Sequence, residues 1–207
     1  MGKTILYKVW KSSFKGLPKK EVSNGFKAIK LHYEETHRHY HNLMHVEDLI
    51  QHINGLELIQ RDRLILIYSA FYHDVIYNAR SNSNEKESAE FAKIWLKRLK
   101  VDASIIDAVE RTILATVNHE SENDLTRLFL DMDMSILAAS QDEYITYITA
   151  IQRENNRFPY FMYQIGRKRF IQSTLKRSRI FLTDLYFSRY EVIARTNLHR
   201  ELNTLSI

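Results

Sequence analysis

Apolar residues return at three- and four-residue intervals along almost the whole chain, which is the period of an α-helix rather than of a strand. Ala92, Trp95, Leu96 and Leu99 form one such stripe, approached through "NSNEKES", where Asn82 or Asn84 is placed to cap. Asp102 stands as the cap of the next segment, with Ile105, Ile106, Val109 and Ile113 facing inward. Ser140 and Glu143 make a capping box ahead of the stripe Tyr144, Tyr147, Ile148 and Ile151. Pro18 and Pro159 sit where helices begin. The one markedly polar gap is "NARSNSN", residues 78 to 84. No repeat or linker interrupts this pattern, which predicts an all-α chain forming a single helical domain over residues 1–207.

Composition sharpens that picture. The 207 residues are enough for one sizeable core, and only 5 Gly and 2 Pro imply few turns and long elements. The absence of Cys excludes disulfides and thiolate metal sites and suits a reducing compartment. No apolar stretch has the length of a membrane span, and "MGKTILYKVWKSSF" lacks the long apolar region of a secretory signal, so a cytoplasmic location is expected. The net charge of +5 is uneven: from Arg153 onward there are 11 Lys or Arg against 4 Asp or Glu, and before it 19 against 21. A basic helical part over 140–207 is either a solvated face or a phosphate-binding one. Its cations are scattered and accompany no recognition motif, so no specific nucleic-acid partner is expected.

Three stretches break the apolar pattern with residues that carry chemistry. In "IYSAFYHDVIY", Ile67 to Tyr77, His73 and Asp74 sit side by side in an apolar run. A carboxylate removed from water there needs a cationic partner or a metal ion. In "RHYHNLMHVEDLI", Arg38 to Ile50, a helix would place His41 and His45 on one face, four apart. In "LFLDMDMSIL", residues 128 to 137, Asp131 and Asp133 would point about 200° apart on a helix, so one ion could take only one of them. A histidine, an adjacent His-Asp pair and a distant Asp supply an N/O set that Mn, Fe, Co, Mg or Zn accepts.

The order H…HD…D resembles the HD superfamily of metal-dependent phosphohydrolases, and within it a subgroup of bacterial predicted phosphohydrolases. The matching pieces are "YHNLMH", "YHDVIY", "NEKESA", "TVNHE", "DMDMSIL" and, more weakly, "ARTNLHREL". The resemblance implies an HD-type helical bundle with a metal site built from residues 38–135. It makes His45, His73, Asp74 and Asp133 the metal ligands, Asp133 being preferred to Asp131 because "DMS" is similar to the Asp-Leu-Ser of related enzymes. "YHNLMH" also resembles the YHNxxH of cyclic-nucleotide phosphodiesterases, which implies His41 as general acid. Glu85 matches a family glutamate that orients the attacking water; a first-turn carboxylate favoured by the helix dipole is the alternative.

Further expectations concern the substrate. His119 either ligates a second ion, contacts phosphate or ends a helix. Arg38, Arg153, Arg167 and Lys168 are candidate phosphate clamps, and Asn197 either touches substrate or stabilises a helix contact. Tyr77 and Asn78 replace the Glu-Asp pair of alarmone hydrolases, Tyr77 also replaces a histidine of cyclic-nucleotide phosphodiesterases, and no Gly-Tyr-Pro follows. Those branches lose support. The expected function is a divalent-metal-dependent phosphohydrolase acting on a small phosphorylated molecule, a nucleotide being the expected class. The alternative is a non-catalytic nucleotide-binding sensor that keeps the metal site.

Overall fold

The computed structural model describes residues 2–14 and 16–205. Among them are ten α-helices, one short 3-10 helix and no strand, so the all-α expectation holds. No described helix is long and apolar enough to cross a membrane. The chain gathers into two compact units, Met1–Phe129 and Leu130–Ile207.

The first unit contains α1 (Gly2–Ser12), α2 (Lys19–Tyr33), α3 (Leu43–Asn54), α4 (Gln60–Tyr72), α5 (Asn84–Arg98) and α6 (Ala103–Ala115). Helix α7 (Asp124–Asp133) starts in it. Pro18 stands immediately before α2, as its fixed φ favours. Asp102 caps α6 by accepting from Ser104 N at 2.8 Å, and the Ser104 hydrogen bonds hold its carboxyl below the usual range. At α5 the expectation is corrected by one residue: Ser83 occupies the cap position, and Asn84 opens the helix with its side chain turned to another use. Helix α4 packs on α3, α5 and α6. Ile65 through Tyr72 are buried without a break, which marks a helix enclosed on all sides. Around it Trp10 meets Phe14, Phe71, Tyr72 and Tyr68 at ring-centroid distances of 4.7 to 6.4 Å.

The second unit holds the end of α7, a 3-10 helix (Met134–Ala138), α8 (Gln141–Glu154), α9 (Tyr160–Lys176) and α10 (Asp184–Thr204). The Ser140–Glu143 capping box is present, and Pro159 precedes α9. Tyr144 and Tyr147 are buried on the predicted face of α8.

Close packing of α2 depends on a missing side chain. A Cβ on Gly25 would lie 2.9 Å from Trp10 Cζ2 and 3.1 Å from Leu99 Cδ1. The Trp10 ring is fully buried and anchored by its Nε1 donating to Val22 O at 2.8 Å, so it has no room to yield. Alanine gains up to about 1 kcal/mol of helix propensity over glycine, whereas overpacking a core costs about 1–3 kcal/mol. Gly25→Ala is therefore expected to lower the melting temperature. An unchanged or raised value in a thermal melt would show that the α1–α2 contact is looser than this.

Candidate metal centre

His73 and Asp74 lie where α4 runs out. His73 is its C-cap residue, with N–H donating to Ser69 O at 2.9 Å, and Asp74 follows in the turn. The buried apolar run thus ends one residue before the pair, and Asp74 emerges 21% exposed. A helix C-terminus concentrates carbonyl dipoles of negative sign, which is unfavourable for a carboxylate and favourable for a cation. The protein supplies one cation there itself. Arg38, buried against the Tyr33 ring, donates to Asp74 O at 2.6 Å, Val75 O at 2.9 Å and His41 O at 3.2 Å. Its Nε pairs with Glu35 at 2.9 Å. Arg38 was expected to clamp phosphate. Its guanidinium instead fastens the 38–41 segment to the end of α4.

His41 and His45 do not share a helix face as expected. Asn42 is the N-cap of α3, its Oδ1 accepting from Met44 N at 2.8 Å, so the helix begins only at Leu43. His45 lies in the first turn of α3 and is buried, while His41 precedes the cap in a turn. Their rings nevertheless come within 6.3 Å, at 81°. Asn42 Nδ2 donates to His39 O at 3.0 Å and tightens the turn that carries His41.

His45, His73 and Asp74 form a group able to hold a metal ion. The Nε2 atoms of His45 and His73 are 3.1 Å apart, His73 Nε2 is 3.1 Å from Asp74 Oδ2, and His45 Nε2 is 3.9 Å from it. Two donors at right angles around one ion, each about 2.1 Å from it, stand about 3.0 Å apart, so two of the three separations match neighbouring positions of a coordination sphere. His73 Nδ1 is 3.3 Å from Ala70 O, an acceptor that suits a proton on Nδ1; in the neutral ring with that proton, Nε2 is the ligating nitrogen. Nitrogen and oxygen atoms facing one another at 3.1 Å are held by a shared proton or by a cation between them. The residues fit a divalent ion. Phe129 packs edge-on against the His73 ring at 5.5 Å.

The group is open on one side. His45 and His73 are 5% and 1% exposed, whereas His41 and Asp74 are 20% and 21% exposed, with His41 Nε2 3.9 Å from Asp74 Oδ2. Helix α5 holds the chain beyond Asp74. Asn84 accepts from Asn78 N and donates to Asn78 O, both at 3.0 Å, and Ser88 Oγ accepts from Ile76 N and donates to Ile76 O. Glu85 lies between them in the first turn of α5, half-buried. His119 closes the end of α6 in the left-handed backbone conformation (φ 53°), its N–H bonded to Ala115 O at 2.9 Å. It is outside the three-residue group.

The remaining candidates belong to the second unit. Asp131 is buried and accepts from Leu182 N at 2.6 Å, Thr183 N at 2.8 Å and Thr183 Oγ1 at 2.5 Å, an engagement that fastens the start of α10. Asp133 ends α7, half-buried. Arg167, expected as a phosphate clamp, is engaged inside the unit: Nε and Nη2 grip the buried Glu201 at 2.7 and 2.9 Å, and Nη1 donates to Tyr147 Oη at 3.1 Å. Asn197 donates to Leu137 O and Ala139 O, both at 3.0 Å, which is the helix-contact role. Lys168 is half-buried on α9. Arg153 is exposed beside an open cleft of about 430 Å³ lined also by Asn156, Phe158, Tyr160 and Tyr163.

Sequence reasoning missed Asn42, Asn84 and Ser88 as the residues that place the site. Asn42 carried a readable signal, an asparagine ahead of an apolar helical stripe.

Two outcomes follow from these contacts. Arg38→Met leaves the carbonyls of Asp74 and Val75 without their donor, and Mn²⁺ affinity measured by calorimetry is expected to fall about 10- to 100-fold; full affinity in a folded variant would remove Arg38 from the site. Arg167→Met strands the Glu201 carboxylate, and chemical denaturation is expected to show a loss of about 3–5 kcal/mol.

No protein-family model, curated protein or solved structure matches this chain. Functional meaning therefore rests on the side chains themselves, and above all on His45, His73 and Asp74.

Proposed function

We propose that the protein is a metal-dependent phosphohydrolase of HD type, acting on the phosphoester or phosphoanhydride bond of a small molecule, with a nucleotide the favoured class. The observation that carries this reading is the convergence of His45, His73 and Asp74 donor atoms beside a more exposed histidine, His41. With a divalent cation bound, such a site polarises a phosphoryl oxygen and lowers the pKa of water. His45, His73 and Asp74 would hold the ion and leave positions for substrate and water. A purely structural site fits less well, since structural zinc is closed by four ligands and favours cysteine.

The chain's own residues take the remaining roles. His41 holds a proton on Nε2 and passes it to the departing oxygen, as its place on the open side of Asp74 favours. Glu85 carries a carboxylate that accepts a hydrogen bond from the attacking water. Arg38 and Arg167 are engaged within the protein and are not proposed as phosphate contacts.

Metal-stripped protein supplied with Mn²⁺, Fe²⁺, Co²⁺, Mg²⁺ or Zn²⁺ is expected to release phosphate or alcohol from a panel of nucleotides and p-nitrophenyl esters. Asp74→Asn is expected to abolish both turnover and metal binding. His41→Gln is expected to keep the metal and lose about 10²- to 10⁴-fold in kcat, the usual range for a lost general acid. Metal and nucleotide binding without turnover on any member of the panel would instead make the protein a sensor.

A further inference from the structure

We infer that Tyr77 is a positioning residue that holds the His41 imidazole toward Asp74. The inference rests on the proposed proton-donating role of His41 for its catalytic consequence, but not for its geometry. His41 stands outside α3, ahead of the Asn42 cap, so no helical backbone fixes its orientation. Its ring is instead held by other rings. Tyr77 stacks on it at 4.3 Å between centroids and 26° between planes, and Tyr40 meets it edge-on at 5.0 Å and 82°. The stacked face is the closer contact, and it excludes water from one side of the imidazole.

Tyr77 is itself fixed. The next residue, Asn78, is bonded through both backbone groups to the Asn84 amide, and Tyr77 O lies 3.1 Å from His37 Nε2. The Arg38 guanidinium lies 5.7 Å from the ring centroid. The same arginine holds the carbonyls of His41, Asp74 and Val75. One side chain therefore links the turn carrying His41, the turn carrying Asp74 and the ring between them. A tyrosine suits the position because a flat, rigid ring limits the imidazole to one plane.

The test separates geometry from chemistry. Ring-proton signals of His41, assigned by their loss in His41→Gln, are expected upfield in the wild type because the Tyr77 ring lies against them. They are expected to stay so in Y77F and to move to ordinary values in Y77L. With Mn²⁺-loaded protein and bis-p-nitrophenyl phosphate, Y77L is expected to lose about 10- to 100-fold in kcat, as misplacing a reacting group does. KM and Mn²⁺ affinity are expected to hold, and retained affinity also shows that the site has folded. Y77F, which keeps the ring, retains most of the turnover. Identical His41 signals in wild type and Y77L would overturn the inference, as would an unchanged kcat in Y77L once the signals have moved. A wild type with no turnover on any member of the substrate panel would sink the phosphohydrolase reading, and the signals alone would then decide whether Tyr77 positions His41.

Discussion

A carboxylate at the C-terminal end of a buried helix faces the negative pole of that helix, and the first unit is organised around this constraint. Asp74 occupies that position at the end of α4, and the Arg38 guanidinium answers it from the side of the backbone. Arg38 neutralises the carbonyls rather than the carboxylate, so the Asp74 side chain is left to turn toward His73 and His45. The same arginine draws in the segment that precedes α3, which brings His41 to the open side of the group. Remove that cation and the segment ahead of α3 and the end of α4 lose their common anchor.

Neighbouring polar contacts serve the same end. A turn leaving a buried helix carries backbone groups that need partners, and here they come from α5, through Asn84 on Asn78 and Ser88 on Ile76. Both limit where Asp74 and Tyr77 can lie. Apolar packing does complementary work: Phe129 lies against the His73 ring, which is buried, while Asp74 and His41 keep partial exposure.

The second unit shows what becomes of basic and acidic residues that might have served a ligand. Arg167 and Glu201 pair in its interior with Tyr144 and Tyr147, and Asp131 holds the backbone at the start of α10. Breaking such a pair from one side strands a buried charge, which is why these residues are tied to stability rather than to phosphate. Fewer of the cations after Arg153 reach the surface than a count suggests, but Arg167 and Arg195 each take a glutamate with them, so the surplus itself is unchanged. Arg195 is likewise taken up by Glu191 and by the carbonyls of Leu175 and Arg177.

Local chemistry was legible from residue order because it acts over a few positions. The helical period, the caps at Asp102 and Ser140, and the prolines ahead of α2 and α9 all act within one or two turns of chain. The presence of His73, Asp74, His45 and Asp131 in apolar surroundings was legible too, since such side chains are costly there without a partner. Which partner each one has was decided by the tertiary structure. Arginine donates equally well to a carbonyl, a carboxylate or a phosphate, so Arg38 and Arg167 acquired their roles only from the groups that folding placed beside them. Asp131 and Asp133 differ by two positions and look alike in sequence, yet the backbone at Leu182 and Thr183, some fifty residues on, engages Asp131. The convergence of His45 on His73 and Asp74 is of the same kind: it joins the start of one helix to the end of another, and no local rule of spacing contains it.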